Sequence, residues 1–233
     1  MDKMKTMQNM FISHESRMLS WMRNAFIACI FCTSLGVPDS RAEEPGVVAD
    51  ATQQAAMAVV KELHEKLMHI MQEADTLGYQ GRYDYIQEVV TARFDTSLIA
   101  RVIMSRYWRQ LDDPQKMDFI KLFQELSVAT YASRFDGYGG EKFVELSAEQ
   151  LKKGRLLIKT ELQRPDDRPV KLDYLMHQRD GEWLIISVIA NGVNDLSLKR
   201  AEYATVIEDK GFDGLVSDVS AKITNMENKV VAP

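Results

Sequence analysis

Few residues in this chain are of a type and spacing that could carry out a reaction. Three of its four histidines lie beyond the N-terminal segment: His64, His69 and His177. His64 and His69 are five residues apart in a helical stretch, so they point about 140° apart around its axis and share no face. No His-Glu-x-x-His pair or three-ligand grouping accompanies them, which argues against zinc and leaves them as surface or boundary histidines. A Gly-x-Ser-x-Gly elbow is also missing, so serine hydrolase chemistry has no support. The run Gly137-Tyr-Gly-Gly-Glu-Lys142 superficially suggests a phosphate loop. It lacks the glycine before lysine and the Ser/Thr after it, and it leads from helix to strand, so it reads as a structural corner. Asp112-Asp113 and Asp166-Asp167 sit in turns and read as caps and solvated loops. Nothing supplies a nucleophile with its base, no cofactor is implied, and a non-enzymatic role is expected.

What the chain does have is large apolar and aromatic side chains at regular spacing. Phe119, Leu122, Phe123, Leu126, Ala129 and Thr130 recur at helical intervals after a start signal at Asp113-Pro114. Tyr131 and Phe135 prolong that face, and Gly137 is expected to stop the helix. Earlier, Ala56, Val60, Leu63, Leu67, Ile70 and Ala74 mark a helix over residues 49–75, which Gly78 and Gly81 should break. A shorter helix follows over residues 85–92, and Asp95 is placed to cap the next one, which leads to Tyr107 and Trp108.

After Gly140 the period changes from 3.6 to 2. Strands are expected over residues 143–148 and 156–162, then around Leu172, Tyr174 and Met176, and finally over 183–190. Residues 164–169 read as a turn, and Asp180-Gly181 as a tight hairpin. The run from Trp183 to Ala190 is apolar on both sides and should be the most central strand. Asp195 is placed to cap a helix ending at Gly211, and Asp213 to start a last helix. The expected fold class is α+β: an antiparallel four-stranded sheet wrapped by about six helices, with an apolar pocket between them. Within it the helical part spans 49–137, the sheet 141–190 and the C-terminal helices 195–228.

Composition narrows the function classes. The 233 residues suit one domain and are 45% hydrophobic. The formal net charge is −5; residues 1–42 hold five Lys/Arg against three Asp/Glu, so the remainder carries −7. An acidic domain without a basic stripe argues against nucleic-acid binding. Lys3, Lys5, Arg17 and Arg23 precede an apolar run from Ala25 to Val37, and Ser40-Arg41-Ala42 offers small residues for cleavage. This is the pattern of a signal peptide over 1–42, with Met10 or Met18 as alternative starts, and 43–233 as the exported domain. The apolar run falls short of the ~20 residues that span a bilayer. Both cysteines, Cys29 and Cys32, lie within it, so the exported domain would have no thiol. Phe26-Ile27-Ala28-Cys29 only faintly echoes a lipoprotein box.

The run from Arg106 to Phe143 resembles the toluene-tolerance (MlaC-like) family of periplasmic proteins, the lipid-shuttling components of Mla-type transport systems. The shared pattern is a Tyr/Trp pair, a polar turn, a Phe-rich helix, Tyr-Ala-x-Arg-Phe and a Tyr-Gly-Gly-Glu corner. Arg93-Phe94-Asp95, the stretch from Gly181 to Val193, Tyr203-Ala-x-Val-Ile and Lys210-Gly-Phe-Asp-Gly-Leu215 extend the similarity over roughly residues 48–225. Ser105-Arg-Tyr-Trp and Tyr131-Ala-Ser-Arg-Phe look closest to the hopanoid-associated branch, HpnM.

The resemblance implies an NTF2-like sheet wrapped by helices, with acyl chains held between them. It places Tyr107, Trp108, Phe119, Phe123, Leu126, Tyr131 and Phe135 on a helical wall of the lipid site. Leu156, Ile158, Leu162, Tyr174, Met176, Trp183, Ile185 and Val193 would line the sheet side. It also implies a monomeric periplasmic carrier of a phospholipid or hopanoid. The implied partners are an inner-membrane MCE-type transporter and an outer-membrane lipoprotein complex. The alternatives are a non-catalytic interaction module with a filled interior, and an enzyme with an inward-pointing polar group. For the latter, Asp173 and His177 fall on the opposite register from Leu172 and Tyr174.

Overall fold

The computed structural model describes residues 51–165 and 167–229. The expected signal peptide and both cysteines lie outside that span. Helix α1 (Ala51–Gln72) is followed by α2 (Ala74–Arg93), α3 (Thr96–Met104), a 3-10 turn (Ser105–Gln110) and α4 (Asp113–Arg134). Five strands then run consecutively: β1 (Lys142–Leu151), β2 (Arg155–Arg164), β3 (Asp167–Arg179), β4 (Glu182–Ala190) and β5 (Val193–Asn194). Helix α5 (Asp195–Lys229) completes the described chain.

Local chemistry accounts for most of the boundaries. The Asp95 carboxylate accepts the Leu98 N–H and caps α3. At α4 the cap is Asp112, one residue earlier than expected. Its side chain accepts the Gln115 N–H, while the Gln115 amide oxygen accepts the Asp112 N–H, a full capping box. The helix ends at Arg134, ahead of Gly137. Gly78 does break the helical path, with φ 59°, but Gly81 continues inside α2. Gly211, at φ 73°, divides α5 where two helices were expected. The first half of α5 is capped by Asn194, whose side-chain oxygen accepts the Ser197 N–H, rather than by Asp195.

Where α2 meets the end of α4, Arg82 is buried and ties the two together. Its Nε donates to the Ala132 carbonyl and its Nη1 to the Ala74 carbonyl, each at 3.0 Å. Both carbonyls lie where a helical ladder is interrupted, one in the last turn of α4 and one just before Gly78, so a buried guanidinium has acceptors that a helix interior would not leave free.

The sheet order is β1-β2-β3-β4-β5, antiparallel throughout, so every connection is a hairpin or short turn. Arg179 pairs with Glu182 across a two-residue turn in which Asp180 and Gly181 both have positive φ. A fifth, two-residue strand adds to the four expected. The expectation that β4 is central is corrected: β3 flanks it on one side and only short β5 on the other. Its apolar residues are buried because α1, α2, α3 and α5 all contact it. The free part of its edge is covered by Phe94, which bridges to Ile185, and by the Asp95 N–H, which donates to the Ile185 carbonyl.

Candidate functional site

Two apolar clusters hold the described chain together, and they divide the residues expected to line one pocket. The first lies between α1, α2 and the sheet. It contains Leu156, Ile158, Tyr174, Met176, Trp183 and Ile185 of the sheet-side residues, with Tyr131 and Phe135 half-buried against it. The second lies between α3, α4 and α5 and contains Phe119, Phe123 and Leu126, with Tyr107 and Trp108 packed at its margin. Leu162 is buried but belongs to neither cluster, and Val193 is 47% exposed on β5. Of the helical wall expected to face the sheet, Phe119, Phe123 and Leu126 therefore face Tyr203, Leu215 and Val219 of α5 instead, while Tyr131 and Phe135 pack on the sheet side.

Helix α4 is buried on more than one side, since Val128 joins the sheet cluster while Phe119 and Phe123 join the other. The helix that does cover the sheet is α1, through Leu63, Leu67 and Ile70. The 3.6 period of those residues was legible, but nothing in it named the surface they would meet.

The seam between α1 and the sheet is close-packed. Leu63, Leu67, Ile70, Ile158, Met176 and Ile185 are all at 0% exposure. Side chains lining a space wide enough for a hydrocarbon tail would expose area to a water-sized sphere, and these do not. A line of rings crosses the seam's rim. Phe94 lies beside Tyr131, Tyr131 beside Phe135, Phe135 beside Phe143, and Phe143 stacks on His64 with centroids 3.9 Å apart.

Besides Thr160, which is fully buried on β2 and donates to the Leu172 carbonyl, the polar residue of this interior is His64. It is buried on α1, and its Nε2 lies 3.0 Å from the Tyr174 hydroxyl on β3. Burial lowers its pKa to about 4, so it is neutral at neutral pH. Burial also raises the Tyr174 phenol well above its usual range, with nearby Tyr131 adding to the effect. A neutral imidazole and a neutral phenol leave the seam without a charge. Sequence reading placed His64 at a boundary; its position four residues after Val60 and three before Leu67 was the signal that it shares the apolar stripe.

A separate concavity of about 560 Å³ lies beside the start of α3, lined by Asp95, Ser97, Leu98, Arg101, Trp108, His177 and Arg179. Its floor is a polar cluster that sequence reading missed. Asp95 is 2% exposed; its Oδ1 accepts from Arg179 Nη1 at 2.6 Å and from Ser97 Oγ at 2.8 Å, and its Oδ2 pairs with His177 Nε2 at 2.9 Å. Burial alone would raise the Asp95 pKa. Hydrogen bonds from Leu98 N–H and Ser97, then Arg179 and His177, outweigh it and hold the carboxyl below its usual value. Among the described residues no group of three His, Cys, Asp or Glu side chains is placed to hold a metal ion.

The described helices include none long and apolar enough to cross a membrane. The fold resembles that of a phospholipid-binding protein from Ralstonia solanacearum, solved in complex with a phospholipid. The two chains are 18% identical, with a TM-score of 0.65, over 73% of this chain and 98% of that one. The sequence itself matches the MlaC protein family over residues 61–221, which takes in every helix and strand of the described chain in whole or in part. The chain therefore belongs to the MlaC protein family.

Proposed function

We propose that this protein is a lipid carrier, not an enzyme, which holds a phospholipid by its acyl chains between α1 and the sheet and moves it through the periplasm between the inner and outer membranes. The observation that carries this reading is an uncharged seam lined mainly by apolar and aromatic side chains, in the fold of a protein solved with a phospholipid. Water-exposed hydrocarbon costs roughly 0.8 kcal/mol per methylene, so an acyl chain of ~15 carbons needs a dry partner worth on the order of 12 kcal/mol. Leu63, Leu67, Ile158, Met176 and their neighbours offer that contact without demanding hydrogen bonds. The seam is closed in this conformation, so loading requires α1 to part from the sheet and exchange protein packing for lipid packing.

An inner-membrane MCE-type transporter and an outer-membrane lipoprotein complex are the proposed donor and acceptor, with the carrier acting as a monomer delivered by a cleaved signal peptide. A hopanoid is the second candidate cargo. A different reading, a non-catalytic interaction module, is favoured by the filled seam. Organic extraction of the protein purified from its native periplasm, followed by mass spectrometry, separates all three. A stoichiometric phospholipid or hopanoid identifies the cargo. Repeated lipid-free preparations that also fail to take lipid from vesicles leave only the interaction module.

A further inference from the structure

The concavity beside α3 is not the mouth of the seam. His177 and Arg179 alternate along β3 with Met176, which is at 0% exposure in the interior cluster, so they stand on the opposite face of the sheet. The groove they line therefore needs its own explanation. Its volume of about 560 Å³ falls in the range that takes small molecules.

The lining chemistry is specific. Both Asp95 oxygens are already engaged, by Leu98 N–H, Ser97, Arg179 and His177, so the carboxylate fixes two donors at the groove's edge and is not free to attract a cation. Arg179 commits one Nη to Asp95 and Ser97 and is half exposed. Arg101, one helical turn after Ser97, has no hydrogen-bond or ion-pair partner for its guanidinium among the described residues. Leu98 and Trp108 supply the apolar side. Two planar guanidiniums beside an indole suit an oxyanion attached to a flat apolar body, the anion held by charge-assisted hydrogen bonds and the body by the ring.

We infer that this groove is a second binding site, distinct from the α1–sheet seam, for a carboxylate- or phosphate-bearing ligand with a small apolar part. Arg101 and Arg179 hold the anion and Trp108 packs on the remainder. The reading does not depend on the proposed lipid cargo.

The fluorescence of Trp108 tests it. Phenyl phosphate, inorganic phosphate and vesicles with or without an anionic phospholipid are titrated into the full-length protein, with Trp108→Phe assigning the signal. Saturable quenching by phenyl phosphate in the micromolar to millimolar range, weakened roughly tenfold in Arg101→Gln, is the expected result. A response confined to anionic vesicles, and equally lost in Arg101→Gln, identifies a lipid head group as the source of the anion. Arg101→Gln removes only an exposed, unpaired side chain, so its circular dichroism and its bound lipid should match the parent. No saturable response to any of these additions, or one unchanged in Arg101→Gln, overturns the site. Loss of copurifying lipid in that variant overturns its separateness from the seam.

Discussion

The Nε2 of His64 on α1 and the hydroxyl of Tyr174 on β3 lie 3.0 Å apart, joining residues 110 positions distant in the chain across a mainly apolar seam. This contact carries a pH dependence whose sign is fixed. In the unfolded chain His64 titrates near 6.5, and in the fold near 4, because burial disfavours the imidazolium. Its contribution is therefore fully present above pH 6.5 and lost as pH falls toward 4, a change on the order of 3 kcal/mol. Denaturant midpoints measured from pH 7 to 4 should fall steeply, and His64→Phe, which keeps a ring against Phe143, should flatten that slope. Parallel curves for the two proteins would remove His64 as the cause.

Stacking of His64 on Phe143 joins α1 to β1 through two ring side chains. A His64→Cys/Phe143→Cys pair bridged by a short, reductant-cleavable bis-maleimide should lock the seam. If acyl chains enter between helix and sheet, the cross-linked protein takes up no lipid from vesicles and the cleaved protein recovers uptake. Equal uptake in both forms would place the cargo elsewhere.

Overpacking distinguishes the two clusters. Ile158→Trp adds volume where no water-sized space exists and should destabilise by about 1–3 kcal/mol. Leu126→Trp should do the same in the helical cluster. Only the first should also lower lipid content per folded molecule, as measured by extraction from native-gel-purified material.

Asp95 caps α3 and anchors His177 and Arg179. Its folded pKa is depressed, so its stabilisation holds above the unfolded carboxyl value and disappears as pH falls through the folded one. Asp95→Ala should cost about 2–3 kcal/mol by loss of the cap and of charge-assisted hydrogen bonds. Asp95→Asn, which keeps an acceptor for the Leu98 N–H, should cost less, as thermal unfolding at neutral pH would register.

Arg82 spans two carbonyls with a forked side chain. Lysine has a single ammonium and cannot reproduce both contacts from one position, so Arg82→Lys should cost about 2 kcal/mol or more despite keeping the charge. Arg82→Met leaves both carbonyls unpaired and tests whether the fork or the stem matters.

Local signals carried the fold further than they carried the site. The Asp180-Gly181 hairpin, the Asp95 cap and the glycine breaks at 78 and 211 depend on neighbours in sequence, and each is where local chemistry put it. The pairing of faces depends on which element comes to rest against which, and one helix's period does not encode that. Helix α4 looked one-sided because its aromatic residues dominate the pattern, while Val128 and Ala132 are buried as well. The two-sided apolar character of β4 reported coverage by helices, not a central position. The Asp95, His177 and Arg179 cluster joins positions more than eighty residues apart, and no spacing announces it.

The tightness of the interior has a kinetic corollary. A guest cannot diffuse into a volume that is absent until the helix lifts, so on the carrier reading the frequency of that excursion limits uptake. Transfer then levels off as donor membrane becomes abundant, and an unloaded molecule drifting between membranes shows other proteins no sticky lining.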